Sequence, residues 1–569
     1  MIERTPGQRL AELAERYWKQ ECEESTLTAV LAGEPSDATY LFRASPADAA
    51  RRDRAAADML SELDKIFQQE LLPGDRITHG LLRRELNAVR EQFSVQAHLK
   101  PWLLPAGPEF NTIFFANSTA LSSAEDAALY VERLRSIEGF LGDIRASLAA
   151  GLEAGHRYPR TVLEAALPAI RALGGGNPRE TAWYGPFKRA AIHGGEFDEA
   201  AERAASVIEE VVQPALRAYS DFLAGPMSAA ARETLSCTDA PNGRTYYQSF
   251  VRYFTTTDMS PDEIHQLGLN EVARIAGEMD TVSVKAGFAS MEAYREHLST
   301  SPEFVIDDPE RLREQLEALC KRIDRRIPAF FKRLPRITYG VESMPPTLAA
   351  SMPPAYAQPS PADNSTAGIF WVTSLPERCP TYMHLPLALH EAWPGHLMHI
   401  AMLQEADKLP AFRRNGAVKY TVLVEGWALY CETLGIEMGL YETLDQHFGR
   451  LQMEMWRAVR LVVDTGLHWH NWSREQAIGY FAKHVALPEE TIAQEVDRYV
   501  ALPAQALAYQ IGNLKMRELR TRAERALGSH FSVRDFHAAI ISGGAVSLPV
   551  LEMIVDDWIE EQKVNSLAA

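Results

Sequence analysis

Apolar residues recur at three- and four-residue spacing along most of this chain, and that period is the condition its fold must satisfy. Segments 45–70, 120–155, 195–225, 261–299 and 308–333 carry it among Ala, Glu, Arg and Leu, the side chains that lose least on entering a helix. The N-terminal stretch reads the same way, with Leu10, Leu13 and Tyr17 on one stripe. Helix starts are written in plainly. Ser260 precedes Pro261, Asp262 and Glu263, a capping hydroxyl before a first-turn proline and two acids, and Ser122-Ser123-Ala124-Glu125 and Ser473-Arg474-Glu475 follow a similar rule.

Strand-like stretches are few. Arg244–Phe254, Arg336–Val341 and Ile369–Thr373 are dense in aromatic and β-branched residues and read as a small sheet beside an active cleft. Between the last two, 342–366 is rich in Pro, Ser and Ala and breaks both periods. It reads either as a linker or as a loop wrapping the cleft wall. The expected architecture is mainly α: a large multi-helical fold around a deep channel, with a small β element near the cleft. An N-terminal helical half (1–240) and a C-terminal half (241–569) divide it softly within one intertwined domain.

Charge and cysteine usage narrow the function classes. With 76 acidic against 58 basic residues, the chain has a formal charge of −18 and a pI near 5.4, whereas nucleic-acid binding needs a concentrated basic surface. No nucleic-acid partner is expected. No run approaches the ~20 apolar residues of a membrane-spanning helix, so no membrane partner is expected either. Cys22, Cys237, Cys320, Cys379 and Cys431 are scattered and form no CxxC, as reduced thiols do. The first residues, MIERTPGQRL, lack the basic start and apolar run of a signal peptide. The expectation is a cytoplasmic protein; the sequence leaves its oligomeric state open.

The chemistry concentrates in two segments. Leu385–His399 reads LPLALHEAWPGHLMH. A helical His-Glu with a second histidine invites comparison with HExxH, in which two imidazoles one turn apart bind zinc beside a glutamate that activates water. The spacing does not fit a continuous helix, because His390 and His396 are six residues apart and ~100° per residue turns them ~240° from each other. Pro394-Gly395 supplies a repair: proline cannot continue the helix and glycine tolerates unusual dihedrals, so a bulge there would return His396 to the face of His390. Downstream, 419–432 reads KYTVLVEGWALYCE and sets Glu425 in an apolar run. A carboxylate in such a place is paired or ligated. It reads as a third zinc ligand of the gluzincin type or as half of a structural ion pair. Glu432, two turns on, would share its face and hold a ligand histidine from behind. Glu391 follows a ligand histidine directly and reads as the general base. His384 and His399 stand as fallback ligands.

These residues, together with Asp464-Thr465-Gly466-Leu467-His468, Trp472–Ile478, Pro503–Gly512, Pro241–Gly243 with Tyr246-Tyr247, and Thr255–Asp258, resemble the bacterial family DUF885, a domain of unknown function. The resemblance runs from about residue 150 onward. Family members often read PGHH followed by glutamine, where this chain has His396-Leu397-Met398-His399, so no substrate preference is carried over. The family is similar in turn to helical metallopeptidases with a long, deep channel, and the resemblance implies a zinc peptidase fold. Within the matching segments His468 and Tyr509 stand as donors to a developing oxyanion. Arg498, beside Glu495 and Asp497, reads as a substrate-carboxylate anchor or as part of a solvated charge run.

The expected protein is therefore a Zn2+-dependent hydrolase of short peptides or another small amide. A hydrolase of a non-peptide amide or ester and a non-catalytic helical binding protein are the rival readings. A serine or cysteine hydrolase finds no GxSxG elbow, and Cys379 and Cys431 carry no local signature of a catalytic thiol.

Overall fold

A computed structural model of the chain describes every residue except 1–3, 104–106, 191–196, 346–348, 350–351 and 569. It is 72% helix and 3% strand. The chain divides into two compact units, one of Met1–Phe250 with the returns Leu467–Ser473 and Gln494–Pro503, the other of Val251–Gly466, Arg474–Ala493 and Ala504–Ala569. The change of unit falls ten residues beyond the position expected from sequence, and the first unit takes back two short later segments.

In the first unit, helix α1 (Pro6–Glu24) starts on a capping box in which Thr5 and Gln8 satisfy each other's backbone N–H, with Pro6 in the first turn. Its stripe of Leu10, Leu13 and Tyr17 is buried, as the period requires. Helix α2 (Pro46–Leu63) opens on the same device, Ser45 with Asp48, and packs along α3 (Pro73–Ser94), which also receives α1. Leu60 on α2 and Leu81, Leu82 and Leu86 on α3 are buried.

The segment Arg244–Phe254, expected as a strand, is helical: α4 spans Gly243–Thr255. Its large apolar residues Tyr246, Tyr247, Phe250, Val251 and Phe254 are buried, at a three- and four-residue period. Aromatic content suggested a strand, but the spacing of the rings decides, since only a helix puts all five on one face.

In the second unit, α5 (Pro261–Lys285) begins at the Ser260–Glu263 capping box expected from the sequence. Three short strands follow: β1 (Tyr339–Ser343), β2 (Ala355–Gln358) and β3 (Gly368–Val372). β3 is central, parallel to β1 and antiparallel to β2, with Phe370 opposite both Val341 and Ala357. The first strand lies a little later than expected. The Pro-rich segment 342–366 supplies β2 and so is neither a free linker nor only a loop; part of it falls outside the described residues.

The sheet packs on the pair of helices that carry the histidines, α6 (Thr381–Glu391) and α7 (His396–Gln404). Both helices lie on α8 (Thr421–Glu437), which passes α10 (Ala508–Leu527) at near backbone contact; between them in sequence runs α9 (Leu444–His468). A Cβ added at Gly512 would lie 2.0 Å from the Val422 carbonyl oxygen, and one at Gly426 would lie 2.5 Å from the Gly512 backbone. The two glycines are what let α8 and α10 cross so closely.

Gly512→Ala is therefore expected to lower unfolding free energy by about 3 kcal/mol or more, because backbone cannot move aside as a side chain can. Gly479→Ala, with open space around its position, is expected to be neutral or to stabilise by up to about 1 kcal/mol. Urea unfolding of both variants measures the contrast.

Candidate metal centre

The geometry of the centre starts from a broken helix. α6 ends at Glu391, Ala392 leaves helical dihedrals at φ −87 and ψ −131, and α7 begins at His396. Pro394 has no N–H for a helical bond, and Gly395 lies against the end of α6. A Cβ at Gly395 would sit 1.9 Å from the His390 carbonyl oxygen, so only glycine fits there. The Trp427 indole N–H donates to the Pro394 carbonyl at 2.9 Å and pins the turn to α8. The break does what the six-residue spacing demanded: the rings of His390 and His396 face each other at 4.7 Å between centroids and 88° between planes.

Glu425 completes the group. Its Oε2 lies 3.4 Å from His390 Nε2 and 3.4 Å from His396 Nε2, and the three donor atoms fall within 4.8 Å of one another. Tetrahedral zinc with bonds near 2.0 Å needs donors about 3.3 Å apart. The same Oε2 is buried and accepts no hydrogen bond, as is unusual for a buried carboxylate oxygen and ordinary for a metal ligand. Two imidazoles and one carboxylate are a donor set that suits zinc with room for a further ligand. Among the described residues this is the one His/Cys/Asp/Glu group close enough to hold an ion.

Glu432 acts from behind the ring. Its Oε1 accepts from His390 Nδ1–H at 2.8 Å, which fixes the tautomer and leaves Nε2 facing Glu425. Burial disfavours a charged His390, yet the carboxylates of Glu425 and Glu432 outweigh it and raise the group to about 9. Burial likewise works to raise Glu425, but His396 and His390 pull it well below the usual carboxylate range. Glu391 goes the other way. It is buried, and desolvation raises it despite the charges of His390 and His396.

The fallback histidines do not join the group. His384 bonds through Nε2 to the Cys379 carbonyl at 3.0 Å. His399 stacks on Trp427 at 5.1 Å, and its buried nitrogens have no hydrogen-bond partner. Tyr430 is structural: its hydroxyl meets His537 Nε2 at 2.8 Å and receives the Arg520 guanidinium at 2.7 Å.

Tyr509 sits half-buried in the first turn of α10, the helix that crosses α8 one turn later at Gly512. Its hydroxyl accepts from Gln505 at 3.3 Å and its ring carries the Arg460 guanidinium at 4.4 Å. Asp464 prepares that turn: both carboxylate oxygens accept from the Ala504 N–H at 3.1 Å, where Ala504 takes φ +70.

His468 does not fit the expected role of oxyanion donor. It is fully buried, its Nδ1 accepts from the Cys237 N–H at 3.1 Å and its Nε2–H donates to the Tyr499 carbonyl at 2.9 Å. With both ring nitrogens committed to backbone, it is a strut of the first unit. Arg498 is paired with Glu495 at 3.0 Å within its own helix, and both side chains are mostly buried rather than solvated.

Two contributors were missed from sequence. Trp427 was read only as part of an apolar helix. Arg457, on α9, is buried beside Glu432. Its signal is a series of charged residues, Arg450, Glu454, Arg457 and Asp464, at helical spacing among the apolar residues of one long helix.

The profile of the family described as bacterial protein of unknown function (DUF885) matches residues 27–555. A crystal structure from Colwellia psychrerythraea, described as a candidate lipoprotein, is 26% identical with a TM-score of 0.88, over 98% of this chain and 100% of that one. A structure from Shewanella oneidensis, described as a candidate lipoprotein of unknown function, shares the fold at 15% identity and a TM-score of 0.71, over 96% and 99% of the two chains. No curated protein matches.

Burial holds His468 and His384 neutral down to about 4, against about 6.5 in an unfolded chain. Between those values only the unfolded chain takes up the proton, so stability is expected to fall as pH drops from 6.5 to 4, by about 1.4 kcal/mol per unit for each such histidine. Chemical denaturation across that range should show this slope, shallower in His468→Gln by the share of one group.

Proposed function

We propose, for a chain that belongs to the DUF885 family and inherits from it no assigned chemistry, a zinc-dependent hydrolase of gluzincin type acting on short peptides. The observation that carries the reading is the unpartnered Glu425 oxygen, 3.4 Å from two imidazole nitrogens whose rings are turned toward it by a helix break.

Zinc bound there would supply Lewis-acid activation of water and of the scissile carbonyl. The protein's own residues do the rest. Glu432 orients His390 through its Nδ1–H. Glu391, adjacent to His390 and raised by burial, has the affinity to take a proton from the attacking water and hand it to the leaving amine. Tyr509 offers a phenol to charge developing on the carbonyl oxygen. Five free cysteines support a reducing, cytoplasmic setting. No helix among the described residues is long and apolar enough to cross a membrane.

Metal content by mass spectrometry tests the site first. About one zinc per chain is expected, lost in both His390→Ala and Glu425→Ala, with affinity down roughly 10–100-fold in Glu432→Ala. No zinc in the wild type after metal is added back would end the hydrolase reading in favour of a binding protein. Glu391→Gln should keep the metal and lose about 10²–10⁴ in turnover of short peptides; a variant of undiminished activity would remove Glu391 from its role.

A further inference from the structure

Arg457 is a buried guanidinium without the acceptors that a buried guanidinium needs. It lies on α9 and is 6% exposed. Its NH1 reaches the Met453 carbonyl and sulfur, each at 3.2 Å. Its Nε is buried and donates to nothing, and its NH2 comes no closer than 4.0 Å to Glu432 Oε1, beyond hydrogen-bond range. The neighbouring Trp456 adds a second buried N–H without an acceptor, and its ring lies 5.3 Å from the Arg457 guanidinium. Leaving such donors unsatisfied is costly in a dry interior. A planar anion that takes two N–H groups at once is the partner this fork suits best.

Nearby carboxylates do not meet these donors. Glu432 turns Oε1 to His390 at 2.8 Å and leaves its buried Oε2 without a hydrogen bond, and Glu425 faces the two imidazoles. Arg457 nevertheless belongs to the centre, for its charge acts on Glu391, Glu425 and Glu432. Glu432 Oε1 links the two, 4.0 Å from Arg457 NH2 and 2.8 Å from His390 Nδ1. By that path the guanidinium and the ring lie within the reach of one or two peptide units, whose consecutive Cα atoms are about 3.8 Å apart.

We propose that Arg457 binds the free C-terminal carboxylate of the substrate, so that the centre acts on the last one or two peptide bonds of a short peptide. This rests on the hydrolase reading and narrows it to C-terminal trimming or dipeptide cleavage. An arginine that served instead to steady the oxyanion would act on acids and amides alike.

The test is binding of Ala-Xaa dipeptides, as free acids and as C-terminal amides, to wild type, Arg457→Met and Arg457→Lys by calorimetry, with zinc content measured on the same samples. The acids are expected to bind wild type at least 10-fold more tightly than the amides. The preference should shrink to within twofold in Arg457→Met and return in part in Arg457→Lys. Equal binding of acid and amide by wild type, binding of neither, or a preference that survives in Arg457→Met overturns the proposal. Because the first two outcomes need no variant, a misfolded Arg457→Met leaves the proposal exposed to refutation. Zinc without the acid preference sinks this inference alone, while the preference without zinc sinks the hydrolase and keeps the carboxylate subsite.

Discussion

The backbone of Gly395 lies against the carbonyl of His390 with no space for a side chain between them, and the rest of the centre follows from that contact. Because the chain can fold back so tightly after Glu391, α7 starts with His396 turned onto the face of His390. The turn does not hold itself. Trp427 fastens its Pro394 carbonyl from α8, and the same helix sends Glu425 to the two rings and Glu432 to the back of His390. One helix thus fixes the bend and supplies both carboxylates. α8 is itself fixed by α10, through a crossing that leaves no room for so much as a methyl group at Gly426 or Gly512.

Burial shapes the electrostatics of the group. Glu391, Glu425 and Glu432 stand close together out of water, a gathering of like charge that only nearby cations make tolerable. His390 is pushed toward its protonated form and Arg457 lies alongside. The centre therefore carries its own positive charge, and desolvation drives Glu391 toward holding a proton. A base poised in that direction differs in kind from Glu425, which the imidazoles keep ionised.

Much of this was legible in the residues because it depends on local rules. Ser260 and Glu263 announce a helix start through mutual hydrogen bonds within one turn, and Pro394-Gly395 announces a break that no continuous helix survives. Glu425 stood out as a carboxylate in an apolar run. The errors arose where tertiary surroundings decide. Arg244–Phe254 reads as a strand by composition, and only the spacing of its rings shows the helical face they bury. His468 lies in a segment matching the family, but its work is set by the backbone of Cys237 and Tyr499, residues distant in sequence. Arg457 passed unnoticed for the same reason: what marks it is the acceptor it lacks, which the sequence does not record.

Glu425, Trp427 and Glu432 fall within eight residues, and their directions are locked to one another by the helix they share. One residue inserted between them would swing Glu432 about 100° away from His390 while leaving Glu425 in place. The stretch accordingly behaves as an indivisible cassette. A chimera with a related protein would have to take α8 whole, and α10 with it, since the glycine-to-glycine crossing is cut for two particular backbones. Point substitutions can tune this centre, but length changes within α8 break it.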